Sequence, residues 1–355
     1  MTANYNIWWI LLLIMSSFSI IKSDNLELNT NHIIEKSEDF FNATAQNVDQ
    51  RNIIDELNSL KSINLSKKHG FFRSYLLAEN SDNITLFEQQ NFGFHQFDYN
   101  LNLINKFGLK GRGPGEIVHP MDLTVDKTGN YLILDGGSYR ISKWSSEGIL
   151  LEEFASPHGL IPHRFRVLDN QSFVLFSLMS QNSFHVFNKK GDQKESFLRV
   201  AGVSGNKKGF MLDGKIDTIP DENIIYYVGT LNSMLKAYTS EGELLFSRKI
   251  IKPLDLDFIN MDDHEIRSSS FVTNGFTIYK DKLLILQNGK ANDKFEKRYL
   301  DIYNRNNGDY SHTYILENKT VRIATNNNIS NPLWIFLGLD EKNEEMFLSI
   351  YESPF

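Results

Sequence analysis

The stretch KFGLKGRGPGEIVHP, Lys106–Pro120, sets one arginine and one glutamate among four glycines and two prolines. Such a run cradles a phosphate when Gly-Lys-Ser/Thr and a helix follow it, and neither follows here. A dinucleotide site needs a βαβ unit around the run, whereas the next segment reads as a strand. The glycines are therefore expected to serve backbone turns of positive φ. A degenerate copy, AGVSGNKKGFM (Ala201–Met211), sets Gly202, Gly205 and Gly209 on Gly108, Gly111 and Gly115. The chemistry left belongs to side chains. Arg112 either forks onto a carboxylate or phosphate or pairs with Glu116 and pins the loop.

Further along, Asp135 and Arg140 bracket the tight turn DGGSYR. They either meet a ligand, satisfy backbone groups of the turn, or pair with each other. SPHGLIPHRFR then gathers His158, His163, Arg164 and Arg166, with His163 and Arg164 where a strand begins. The candidate ligand-binding set is thus Arg112, Glu116, Asp135, Arg140, His163 and Arg164.

No catalytic set, cofactor or metal is expected. His158 and His163 lie five apart in a loop, without the helical i,i+4 spacing of zinc ligands. NMDDHE (Asn260–Glu265) lacks the alternation of a calcium loop and reads as a solvated acidic run. Gly202-Val203-Ser204-Gly205 falls short of a G-x-S-x-G nucleophile elbow. With no cysteine in the chain, disulfides, thiolate sites, a cysteine nucleophile and a lipidated cysteine are all excluded. A net charge of −7 without a basic tract argues against nucleic acid as a partner.

The elements that position these residues read as β-strands. The 355 residues include 26 Phe and 14 Tyr but only 8 Pro, a balance suited to pleated, half-buried surfaces. The clearest unit predicts strands at Met121–Asp126, Tyr131–Asp135, Arg140–Ser145 and Ile149–Phe154, split by DKTGN, GGSY and SSEG. Its grammar recurs: an aromatic closes the third strand and a glycine soon after turns into the fourth. The pairs are Trp144 and Gly148, Phe187 and Gly191, Tyr238 and Gly242, Tyr303 and Gly308, with Phe97 and Tyr351 standing alone. A four-stranded unit returning every 43 to 65 residues is the signature of a propeller, and six anchors give six blades. The sixth has three strands of its own, near Val321–Thr325, Trp334–Asp340 and Glu345–Glu352. Leu60–Ser66 (LKSINLS), just before the first blade, is a spare strand expected to complete it.

Phe107–Gly148 resembles secreted six-bladed β-propeller proteins of Bacteroidetes-type bacteria, relatives of the NHL-repeat propellers. In that family a G-x-G-P-G-E segment follows the first blade, matched here by Gly111, Gly113, Pro114, Gly115 and Glu116. A V-D-x-x-G-x-x-h-h-x-D unit comes next, matched by Val125, Asp126, Gly129 and Asp135. The resemblance covers residues 53–355, closely only over 100–155, and blades three to five have lost most signature residues. Many members carry a lipoprotein cysteine that this chain lacks. The resemblance implies the all-β six-bladed fold and names no activity.

At the N-terminus, an apolar run from Ile7 to Ile14 precedes small polar residues and a cleavage point after Ser23, which reads as a signal peptide over residues 1–23. The run is too short for a comfortable membrane span of about 20 residues. The mature protein is expected to be periplasmic or extracellular, without stable membrane insertion. Residues 24–59 read as a polar segment with a helical pattern around VDQRNIIDELNSL (Val48–Leu60), and residues 60–355 as the propeller. In a propeller, alternate connections share a face. The short turns fall on one side, and the long loops Gly108–Pro120, Pro157–Pro162, Gly202–Gly214, Lys252–Ser270 and Gly289–Arg298 on the other. Binding groups collect on long loops over a rigid scaffold, around the central channel. The function expected is a non-enzymatic binding propeller for a small molecule, glycan or protein. The alternative is a metal-dependent lactonase- or lyase-like enzyme, with Glu116, Asp122 and Asp213 as available carboxylates.

Overall fold

In a computed structural model the chain forms a ring of six blades, each built on four antiparallel strands, with one blade carrying a fifth strand. The structure describes residues 34–355 apart from 37–39, 41, 158–159, 170–171, 202–210, 220–221, 231, 252–272, 289–297, 317–319, 327–331 and 341–342. The signal-peptide segment, the acidic run Asn260–Glu265 and most of the second glycine loop lie outside the described residues.

Blade two runs Pro120–Val125, Tyr131–Asp135, Arg140–Trp144 and Leu150–Ala155 from axis to rim. All five residues of its second strand are buried, whereas its rim strand leaves Leu151, Glu152 and Ala155 exposed. The inner strands of the six blades are Ser74–Glu79, Pro120–Val125, Arg164–Val167, Gly214–Thr218, Thr273–Tyr279 and Thr320–Asn326. Each touches the inner strands of both neighbouring blades, so the six enclose the channel.

The aromatic and glycine grammar has a structural cause. All six anchors are buried, and in blades one to five the register of the third and fourth strands slips at the anchor itself. The turn that follows needs a left-handed residue, a β-bulge device that re-aims the rim strand. Gly148 supplies it at φ 77°, and a Cβ there would lie 2.7 Å from the Phe107 ring of the preceding blade. Blade one lacks the glycine. Leu101 takes the same left-handed geometry at φ 63° and stays buried, a conformation costing roughly 1–2 kcal/mol for a residue with a Cβ.

The sixth blade closes as its strand count requires. Lys61–Asn64 pairs antiparallel with Glu345–Glu352, setting Lys61 against Ile350 and Asn64 against Phe347. Asn64 then caps the short helix Leu65–His69, accepting a hydrogen bond from Lys67 N at 2.9 Å.

The helical pattern around Val48–Leu60 is overturned. Ile53–Leu57 is a strand, parallel to the rim strand Tyr310–Leu316 of blade five. Ile53 and Ile54 are 49% and 50% exposed and only Leu57 is buried, so a helix here would have had no apolar face to bury. The unpaired rim of blade five offered backbone partners instead. Arg51 fixes the join through Asp301 (3.0 Å) and Gln287 (2.7 Å), with its guanidinium 4.4 Å from the Tyr299 ring centroid. Earlier residues pair at or just beyond the rims of other blades. Ile34–Lys36 pairs with Arg199–Ala201, Thr44 exchanges backbone bonds with Ser247 and Lys249, and Gln46 bonds Lys249 O and Gly308 O. The N-terminal segment is thus a strap passing blades three to six.

Candidate functional site

The loop between blades one and two is a small structure of its own. Leu109–Lys110 pairs in parallel with Glu116–Ile117, and Gly111 N donates to Ile117 O at 3.1 Å. The Glu116 carboxylate folds back onto Gly113 N at 2.7 Å. A Cβ on Gly111 would fall 2.0 Å from that carboxylate, so glycine is required by close approach.

Asp135, buried at the end of its strand, accepts from Val118 N (2.9 Å), His119 N (2.8 Å), Gly137 N (3.0 Å) and the Ser138 hydroxyl. Arg140 donates to Ser138 Oγ at 3.1 Å, to Glu116 O at 3.0 Å and to Gly113 O at 3.2 Å, and faces Glu153 at 3.4 Å. Asp135 and Arg140 do not pair directly, because Ser138 stands between them. No ion pair joins Arg112 to Glu116 either, since Arg112 reaches Gly137 O at 3.4 Å. Glu116, Asp135 and Arg140 are therefore turned inward to build the loop. Arg112 alone of these four is exposed.

His163 and Arg164 belong to a different environment, the channel. Arg164 opens the inner strand of blade three and faces Asp213 at 3.6 Å, while its Nη1 donates to His163 O at 2.7 Å. Burial, aided by Arg164, pushes the His163 imidazole down to about 4, and its Nδ1 accepts from Leu178 N at 3.3 Å. The ring is neutral at ordinary pH. Two residues on, Arg166 bridges Asp122 (2.6 Å) and Asp217 (3.2 Å), and Asp122 also accepts from Phe165 N at 2.8 Å.

Two further channel residues escaped the sequence reading. Lys215, on the inner strand of blade four, is partly accessible but ringed by protein atoms. Burial, then Arg164 and Arg322, drive its ammonium well below the usual lysine range, with Asp213 and Asp122 opposing. Arg322, on the inner strand of blade six, donates to the carbonyls of Tyr75 (2.8 Å), Asn274 (3.2 Å) and Val321 (2.7 Å). Burial and Arg164 lower it to about 10. The available signal was charge inside a strand enclosed on both sides, in GKIDT and TVRIAT.

At the far ends of the inner strands a cleft of 470 Å³ opens on the short-turn face between blades four, five and six. Asp217, Thr218, Glu222, Thr277, Arg305 and Thr325 are among its lining residues. Arg305 and Glu222 form an ion pair at 2.7 Å there. This face is the one opposite the long loops. Among the described residues no three His, Asp or Glu side chains gather as a metal ion would require, and no helix is long and apolar enough to cross a membrane.

No protein-family model matches the sequence, and no curated protein matches it. Solved structures do. An exported-protein candidate of Bacteroides fragilis NCTC 9343 is 14% identical with a TM-score of 0.59, over 88% of this chain and 99% of that one. A member of the DUF4221 family from Bacteroides vulgatus ATCC 8482 is 10% identical with a TM-score of 0.52, over 86% and 100%. Virginiamycin B lyase from Staphylococcus aureus is 12% identical with a TM-score of 0.47, over 83% and 88%. The chain is a six-bladed β-propeller, and it shares that fold with propeller proteins of Bacteroides.

Proposed function

We propose that the protein is an exported, non-enzymatic propeller that binds a small ligand in its central channel, entered from the long-loop face. One observation carries this reading: inner strands of several blades carry charged and basic side chains that meet across the channel, and Lys215 among them makes no hydrogen bond or ion pair with the described residues. A buried amine with no hydrogen-bond partner is costly to the fold alone, so it points to a group supplied from outside. The apolar run near the N-terminus and the exported-protein candidate of like fold support export.

The lactonase- or lyase-like alternative needs several carboxylates converging without partners. Glu116 is folded onto Gly113 N, Asp122 is held by Arg166, and Asp213 faces Arg164. The test is a thermal-shift panel of neutral sugars, cationic amines and oxyanions, read on the wild type and on Arg164→Gln. A ligand of any class that raises the Tm of the wild type and not of the variant supports the reading. If no class does so, the channel is not the site.

A further inference from the structure

Resting on that reading, we propose that the channel ligand is a small oxyanion, a carboxylate or a phosphate, whose oxygens lie among Arg164, Lys215 and Arg322. The described channel carries the guanidiniums of Arg164, Arg166 and Arg322, together with the Lys215 amine, against Asp122, Asp213 and Asp217. Arg166 occupies two of those carboxylates, at 2.6 and 3.2 Å. Asp213 faces Arg164 and Arg322, with Asp122 the other opposing charge, and its nearest contact to Arg164, at 3.6 Å, exceeds a hydrogen bond. These basic groups sit together in a chain whose net charge is −7, so their grouping is a local construction.

Hydrogen-bond donors tell the same story. Arg322 uses Nε and Nη1 on backbone carbonyls, which supply no negative charge. Lys215 makes no hydrogen bond among the described residues. Guanidinium forks and an ammonium point charge, drawn from three different blades, are the donor types that oxyanions recruit.

A consequence is proton linkage. The groups facing Lys215 are Arg164 from blade three, Arg322 from blade six, and Asp213 and Asp122. Without an anion the two guanidiniums favour the neutral amine; with one bound, the ammonium is favoured. Between those two titrations the site takes up a proton as it binds. Affinity then falls as pH rises, by up to about tenfold per pH unit for one proton.

The experiment is titration calorimetry of the full chain with citrate, inorganic phosphate and glucose, at several pH values and in two buffers of different ionisation enthalpy. Citrate or phosphate should bind with proton uptake, and whichever binds tighter identifies the source of the oxyanion. Lys215→Met should weaken binding at least tenfold and abolish the buffer dependence. Lys215→Arg should keep binding and lose the pH slope, because arginine does not titrate. A Tm within a few degrees of wild type for either variant excludes misfolding as the cause. Binding of glucose but neither anion, lost in Arg164→Gln, overturns this inference and leaves the channel reading intact. Binding of none overturns both.

Discussion

The lower and upper parts of the channel use the same side chains to opposite ends. Below, Arg166 sits between Asp122 and Asp217 with each charge answered. Above, Arg164, Lys215 and Arg322 come together with Asp213 opposing them and Asp122, already held by Arg166, shared between the two parts. The blade-one to blade-two loop repeats the contrast, since Glu116, Asp135 and Arg140 are turned inward to hold the loop whereas Arg112 is exposed and reaches a single carbonyl, Gly137 O. Charge by itself says little about function; whether the fold already answers that charge says more.

The largest test of this contrast is Asp122→Ala. It removes the closer carboxylate from Arg166 and an acceptor from Phe165 N. Breaking one partner of a buried pair costs about 3–5 kcal/mol, to be read as a lower urea midpoint at unchanged slope. Arg140→Ala comes next, because it strips the ties to Glu116 O and Gly113 O. About 2 kcal/mol should be lost, with faster backbone exchange confined to residues 108–120. Acidification sharpens the comparison from the upper side. His163 titrates at about 4 when folded and near 6.5 when unfolded. The unfolded chain thus takes up the proton first, and stability falls as pH drops through that window by at most about 1.4 kcal/mol per unit. His163→Asn should flatten the slope. The smallest effects belong to Lys215→Met and Arg112→Ala, each within about 1 kcal/mol of wild type. A Lys215→Met loss as large as that of Asp122→Ala would break the comparison.

Much of the fold was legible because its rule is local. An aromatic, a register slip and a left-handed turn lie within five or six residues of one another, so Trp144 with Gly148 signals a blade edge on its own. The closure by Lys61–Asn64 could be read by counting strands. The strand Ile53–Leu57 could not, since its partner Tyr310–Leu316 is some 260 residues away and nothing nearby in sequence discloses an open rim. The candidate site divides the same way. The turn chemistry of Asp135 follows from DGGSYR, and the start of an inner strand pointed to Arg164. Lys215 and Arg322 went unseen because blades four and six lack the motif that aligns one inner strand with another, and their meeting is a property of the ring.

The strap has a consequence in time. Its contacts join Thr44 to Lys249, Ile53 to Thr313 and Lys61 to Ile350, all far apart along the chain. The segment that leaves the ribosome early must wait, unpaired, for rims made late. Folding dominated by such distant pairings is slow. Blades four to six keep bare edges until the strap arrives, in the order in which a nascent chain could stick to its neighbours.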